Sequence, residues 1–264
     1  MIKNKKGTSF STRYILNNLG SENVQELSSY IEQVLKEEFV EFTSVEQINK
    51  TFLEIVRDYI DSLSLKELSD LRFYTGYEYR FINNTMRNKW NYEENGLLTT
   101  EKKEYYQQLG ESIKKIIDKF PSLNINIKSY RGISIKAFYD YGITTISDLS
   151  LMQGQYIYEQ GFTSTSLLRN NSYFRRKDLE WHDTCNIEIE YFIPSLCQDG
   201  AILLSDVLSY SKSQLEYILN CGSLSKIIKV EINEEQNTAK LSAILLPKSL
   251  WNQMQLKESS SIKK

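Results

Sequence analysis

Across roughly the first 120 positions, apolar residues recur at intervals of three and four. Val24, Leu27, Ile31, Val34 and Leu35 form one such stripe. Val45, Ile48, Phe52, Ile55, Val56, Tyr59 and Ile60 form a second. That spacing puts each set on one face of a helix. Thr43 with Glu46, and Ser64 with Glu67, fit the capping box that satisfies free N–H groups at a helix start. A further helix carries Leu109, Ile113, Ile116, Ile117 and Phe120, and Pro121 stops it for want of an N–H. The stretch 91–100, with Gly96, reads as a connecting loop. From about Asn124 the period falls to two. Ile187, Ile189, Tyr191 and Ile193 alternate with Glu188, Glu190 and Phe192. Ile228, Val230 and Ile232 alternate with Lys229 and Glu231, and Leu241, Ala243 and Leu245 repeat the pattern. Alternation of this kind predicts half-buried antiparallel strands. The unbroken run Ala201-Ile202-Leu203-Leu204 predicts a strand covered on both faces.

Helices first and strands later predict an α+β fold. Residues 1–40 form an N-terminal helical extension whose role the pattern leaves open. Residues 41–256 form the main domain. The Ser/Lys-rich end, 257–264, is expected to fray.

Composition narrows the chemistry more than the fold. Lys+Arg number 32 against 34 Asp+Glu, a net charge of −2, so no basic excess advertises a nucleic-acid binder. Cys185, Cys197 and Cys221 show no CxxC spacing, and three is an odd number; neither a disulfide framework nor a zinc site is expected. His182 is the sole histidine, and its place beside Trp181 reads as a loop. Triads built on histidine and His-rich metal sites are therefore poorly supported, and no metal is expected. Chemistry must run on carboxylate, hydroxyl, Arg and Gln. The N-terminus is basic at Lys3, Lys5 and Lys6 but lacks a signal peptide's apolar run, and no stretch reaches the roughly 18 apolar residues of a membrane span. The expectation is a cytoplasmic chain as synthesised, delivered by a signal-independent route if it acts elsewhere.

Three segments of the second half carry candidate chemistry: Tyr130-Arg131-Gly132 at a strand end, Gly161-Phe162-Thr163-Ser164-Thr165-Ser166, and Gln214-Leu215-Glu216 after the polar stretch 205–213. In that order they resemble the Arg…Ser-Thr-Ser…Gln-x-Glu signature of the ADP-ribosyltransferase exoenzyme family, similar to clostridial Rho-modifying exoenzymes and related bacterial toxins. In the first half, Tyr74-Thr75-Gly76-Tyr77 followed by Ile82-Asn83 and Met86-Arg87 resembles the family's Tyr-Thr…Ile-Asn-x-x-Leu-Arg helix, with Met86 in place of Leu. The resemblance runs from about Leu65 to Leu246. It implies a helical layer packed on two antiparallel sheets, with NAD⁺ in a cleft between them. There is no GxGxxG or GxxxxGK[ST] loop, so Rossmann-type binding is not indicated.

The residue types suit that chemistry. Breaking the nicotinamide–ribose bond builds positive charge on the ribose, as in glycoside hydrolysis. A carboxylate beside it steadies that charge, and Glu216 is the candidate. Ser164 is expected to orient that carboxylate. The pyrophosphate suits a guanidinium fork, and the resemblance assigns it to Arg131 and Arg87, with Arg175 or Arg176 as a third. Asn83 lies one helical turn before Arg87, on the same face, and Tyr74 and Thr75 belong to the same NAD⁺-binding set. Gln214, two residues before Glu216, and Tyr210 are the candidates for recognising the acceptor. Glu188-x-Glu190 is a rival carboxylate pair, but alternation explains it as the outward face of a strand.

The reading that follows is a mono-ADP-ribosyltransferase acting on a macromolecule. A Gln-x-Glu motif resembles asparagine- or glutamine-directed members rather than Arg-directed ones. Two alternatives stay open: the same donor chemistry aimed at a nucleobase of DNA or RNA, and a non-catalytic binding module on the same fold. A toxin or effector role, with a neutralising antitoxin or immunity partner, is implied by the resemblance alone.

Overall fold

The computed structural model describes residues 21–87, 99–172, 185–204 and 215–247. Five α-helices precede the strands among these residues: α1 (Ser21–Val34), α2 (Val45–Asp61), α3 (Leu65–Phe73), α4 (Tyr79–Met86) and α5 (Thr100–Ile117). A one-turn π-helix, Tyr74–Glu78, joins α3 to α4, and Gly76 leaves helical dihedrals inside it. The Ser64/Glu67 capping box forms as expected. The Thr43/Glu46 box does not. The cap sits one residue later: Ser44 accepts from the Gln47 N–H, and the Gln47 side chain accepts from the Thr43 N–H. A Gln at this spacing does the work expected of Glu46, so the whole cap shifts by one. Leu35 ends up outside α1 and exposed. The 91–100 loop falls largely outside the described residues, as does the 257–264 end.

Eight strands follow: β1 (Ile127–Ile133), β2 (Tyr156–Glu159), β3 (Thr163–Ser166), β4 (Ile187–Ile193), β5 (Gly200–Leu204), β6 (Leu215–Leu219), β7 (Ser223–Asn233) and β8 (Thr238–Leu246). They hydrogen-bond in the single order β2-β7-β8-β4-β1-β3-β6-β5. The α+β class and the helical layer match the sequence pattern. Two details differ from the two antiparallel sheets expected. The ladder is continuous, and β4 pairs with β8 in parallel. The continuity is slender: β1 meets β3 through the single registered pair Tyr130↔Ser166. A five-strand part and a three-strand part thus share one seam, and local alternation carries no information about such a seam.

Each part buries its own apolar face. Helices α2 to α5 cover β5 and β6 through Phe52, Val56, Leu71, Ile82, Ile113 and Ile116. Leu27, Ile31 and Val34 of α1 bury against Tyr156, Leu224, Ile244 and Leu246. Short 3₁₀ turns at Ile135–Tyr141 and Ser147–Met152 cover the remaining face of β4, β7 and β8. Ala201 to Leu204 are all buried, as the unbroken apolar run predicts.

Candidate active site

The seam brings the sequence motifs together. Arg131 on β1 aims Nη1 at the Ser164 carbonyl oxygen on β3, a long contact of 3.5 Å. Ser166 registers directly with Glu216 on β6, and Ser164, two residues earlier, shares that face. Thr165 turns the other way and donates its hydroxyl to the Tyr217 carbonyl, locking β3 to β6. Tyr74, from the π-turn, is buried edge-on against Phe162, with ring centroids 5.3 Å apart. Its hydroxyl lies close to Ser164 and Asn83, within the electrostatic reach of Glu216 and Arg131, yet completes no hydrogen bond. Burial pushes its pKa up to about 12. Arg131, Ser164, Glu216, Tyr74 and Asn83 therefore converge on one spot.

Glu216 is the unusual group there. It keeps some accessible surface, but its carboxyl is deep enough that desolvation raises its pKa to about 7, with Arg131 pulling only partly the other way. Among the described residues, no hydrogen bond or ion pair fixes that carboxylate. A desolvated, unpaired carboxylate beside an arginine is costly for folding and well suited to meet a cationic substrate.

The helix side of the site is more tightly built. Asn83 and Arg87, one turn apart on α4, both reach the turn between β2 and β3. Asn83 Oδ1 accepts from the Phe162 N–H at 2.7 Å. Arg87 Nε donates to Glu159 Oε1 at 2.7 Å, and the same oxygen accepts from the Gly161 N–H at 2.8 Å. Gly161 is required by this crowding: a Cβ there would stand 2.9 Å from Asn83 Oδ1 and 3.1 Å from Arg87 Nε. Gly161→Ala is expected to displace both side chains. Overpacking of this kind costs about 1–3 kcal/mol, and NAD⁺ affinity should fall with stability; thermal melting and a dinucleotide titration on the same sample check both. Thr75 is spent locally, its hydroxyl bonding the Arg72 carbonyl.

Gln214, Tyr210, Arg175 and Arg176 lie outside the described residues. The rival pair is not the outward strand face that alternation suggested. Glu188 is 1% exposed and holds Arg169 through three contacts of 2.7–3.3 Å. Arg169 in turn lies over the Tyr130 ring. Phe192, on the same face of β4, packs against the α1 cluster, so this second face is covered by a helix rather than left to solvent. Glu190 pairs with Lys128 at 3.1 Å. Both carboxylates are thus committed to structural ion pairs. Glu159, which the sequence reading missed, carries no periodic or motif signal; only its later partners Gly161 and Arg87 mark it.

Among the described residues, no group of three His, Cys, Asp or Glu side chains is placed to hold a metal ion. Nor is any described helix long and apolar enough to cross a membrane.

The model of the ADP-ribosyltransferase exoenzyme family matches residues 17–246. The chain belongs to that family, and its class is that of an NAD⁺-dependent ADP-ribosyltransferase. No curated protein matches it in sequence. Solved structures share its fold at low identity. C3stau2 from S. aureus, solved with NAD, is 18% identical over 80% of this chain and 100% of its own, with a TM-score of 0.61. The Clostridium limosum C3 exoenzyme is 21% identical over 80% and 98%, with a TM-score of 0.59. BECa of a C. perfringens binary enterotoxin, solved with NADH, is 19% identical over 80% of this chain and 50% of its own, with a TM-score of 0.62.

Proposed function

We propose that this protein cleaves the nicotinamide–ribose bond of NAD⁺ and transfers ADP-ribose to an amide side chain, Asn or Gln, of a target protein. One observation carries the reading: Glu216, desolvated and without a hydrogen-bond or ion-pair partner among the described residues, stands at the point where Arg131, Ser164, Tyr74 and Asn83 converge. In this reading Glu216 in its ionised form faces the ribose and steadies the positive charge that grows as nicotinamide leaves. Ser164, on the same face, orients that carboxylate once the substrate's 2′-hydroxyl engages it. Arg131 and Arg87 hold the pyrophosphate, with Arg175 or Arg176 as a further contact. Tyr74, Thr75 and Asn83 shape the wall against which the nicotinamide end rests. Gln214 and Tyr210 meet the acceptor. The two NAD- and NADH-bound relatives support a dinucleotide in the corresponding cleft here. The family's exoenzymes support a toxin or effector role, one that a dedicated neutralising partner would hold in check.

The test is to incubate the protein with NAD⁺ labelled in its adenylate half, together with a cell lysate. Label that enters macromolecules and is removed by protease but not by nuclease supports the reading. Nuclease-sensitive label redirects it to a nucleobase acceptor. Absence of both label and NAD⁺ consumption overturns it in favour of a binding module.

A further inference from the structure

We propose that Glu159 is a positioning residue for the dinucleotide: its carboxylate grips Arg87 by the Nε edge and thereby presents the terminal guanidinium nitrogens to the pyrophosphate. This rests on the NAD⁺ reading above and names a residue which that reading does not include.

Glu159 engages one edge of the Arg87 guanidinium and leaves the other. An arginine offers five N–H donors in a rigid planar fork. Glu159 takes only Nε, at 2.7 Å. Among the described residues no other hydrogen bond or ion pair holds Arg87, so Nη1 and Nη2 are uncommitted. A structural arginine is more often gripped at two nitrogens, as Arg169 is by Glu188, where both Nε and Nη2 are engaged. The two arginines are thus held differently. Arg169 is spent on its partner, whereas Arg87 is steered by its partner and left with a free end.

Glu159 is in turn fixed. Its Oε1 also accepts from the Gly161 N–H at 2.8 Å, so the carboxylate is anchored to the turn that leads into the Ser164 strand. Gly161 also approaches the guanidinium so closely that a Cβ on it would stand 3.1 Å from Arg87 Nε and 3.2 Å from Cζ. Arg87 and Glu159 are each only partly exposed, at 23% and 29% of their side-chain surface. Arg87 stands beside the site already described: Asn83, one turn earlier on α4, reaches the same turn through the Phe162 N–H, and Tyr74 is within electrostatic reach of the guanidinium. Without Glu159, a long flexible side chain would have to be ordered by the substrate itself, and binding would bear that entropy. With it, the fork is set beforehand. A carboxylate here adds a negative charge near the pyrophosphate, a cost that only a gain in orientation can outweigh.

The test compares NAD⁺ binding and steady-state kinetics for wild type, Glu159→Ala, Glu159→Asp, Glu159→Gln, Arg87→Ala and the double variant Glu159→Ala/Arg87→Ala. Glu159→Ala is expected to raise KM and Kd for NAD⁺ roughly ten- to a hundred-fold, the range one charge-assisted hydrogen bond spans, while kcat moves far less. Glu159→Gln keeps both acceptor contacts and should restore affinity to within about threefold of wild type, less than half a decade. Glu159→Asp keeps the charge but shortens the reach, and should fall with Glu159→Ala; it serves as the test if the alanine variant does not fold. In the Arg87→Ala background, removing Glu159 should cost no further affinity, because the two act as one unit. Wild-type affinity in both Glu159→Ala and Glu159→Asp overturns the proposal. So does tighter NAD⁺ binding by Glu159→Gln than by wild type, which would make Glu159 an electrostatic brake, and so do additive losses in the double variant. A wild type that binds no NAD⁺ overturns the functional reading, and this inference with it; a wild type that binds NAD⁺ beside unaffected Glu159 variants overturns this inference alone.

Discussion

Glu216→Gln is expected to lower kcat for NAD⁺ cleavage by about 10²–10³, the usual loss when a preorganised charge-stabilising group is removed. NAD⁺ affinity should change much less, because the interaction strengthens only as the ribose becomes cationic. The same residue sets the pH dependence. With its pKa pushed up to about 7, kcat/KM of the free enzyme should rise as pH increases through that value and level off above it. The cationic nicotinamide ring of bound NAD⁺ favours the carboxylate, so the corresponding limb in kcat should lie at lower pH. Glu216→Gln should lose both limbs. Stability should move the opposite way. The unfolded chain releases this proton near the ordinary value of 4.5 while the folded protein keeps it to about 7. The wild type therefore loses stability as pH climbs through that window. Glu216→Gln should melt higher than wild type above pH 7 and equally below pH 4.5. Glu190→Gln is the proper control, with little change in rate expected. Glu188→Gln is not a clean one, because it strips a buried carboxylate from Arg169 and disturbs folding.

Gln214 should separate transfer from hydrolysis. Replacing it by Ala or Glu is expected to nearly abolish transfer to the natural target while release of free ADP-ribose persists. An amide presents a donor and an acceptor together, which complements another amide, whereas water needs no such recognition. Residues two apart in an extended strand share a face, so the sequence spacing makes Gln214 the candidate to stand on the same side as Glu216. Transfer and hydrolysis measured side by side decide it. Parallel losses would make Gln214 a loop-holding residue. Untouched transfer would move acceptor recognition to Tyr210.

The elements were legible where a local period or a stop signal fixes them. The Ser64/Glu67 box and the buried run Ala201 to Leu204 are of this kind, as is the α5 stripe, although the helix closes at Ile117 and leaves Phe120 in the turn before Pro121. The convergence of Arg131, Ser164 and Glu216 was legible only through the order of three short motifs. What the chain did not disclose locally was tertiary. Alternation marks Glu188 as facing away from Ile187 and Ile189, but whether that second face meets solvent depends on which elements pack over it, here Arg169 and the α1 layer. Glu159 shows the limit most clearly. Its two partners are Arg87, 72 residues earlier, and the backbone of Gly161. No periodicity couples such positions; only the fold does. Gly161 was visible in the sequence beside the Ser-Thr-Ser run, but the reason for a glycine there is the close approach of Asn83 and Arg87.

The most direct test of the central claim is a structure of the protein with bound NAD⁺, trapped in Glu216→Gln to slow turnover. The account predicts the nicotinamide-side ribose against residue 216 and Ser164, and the pyrophosphate on Arg131 and on the terminal nitrogens of Arg87, with Glu159 still on Nε. A dinucleotide bound away from residue 216, or a ribose with no contact to it, would contradict the account.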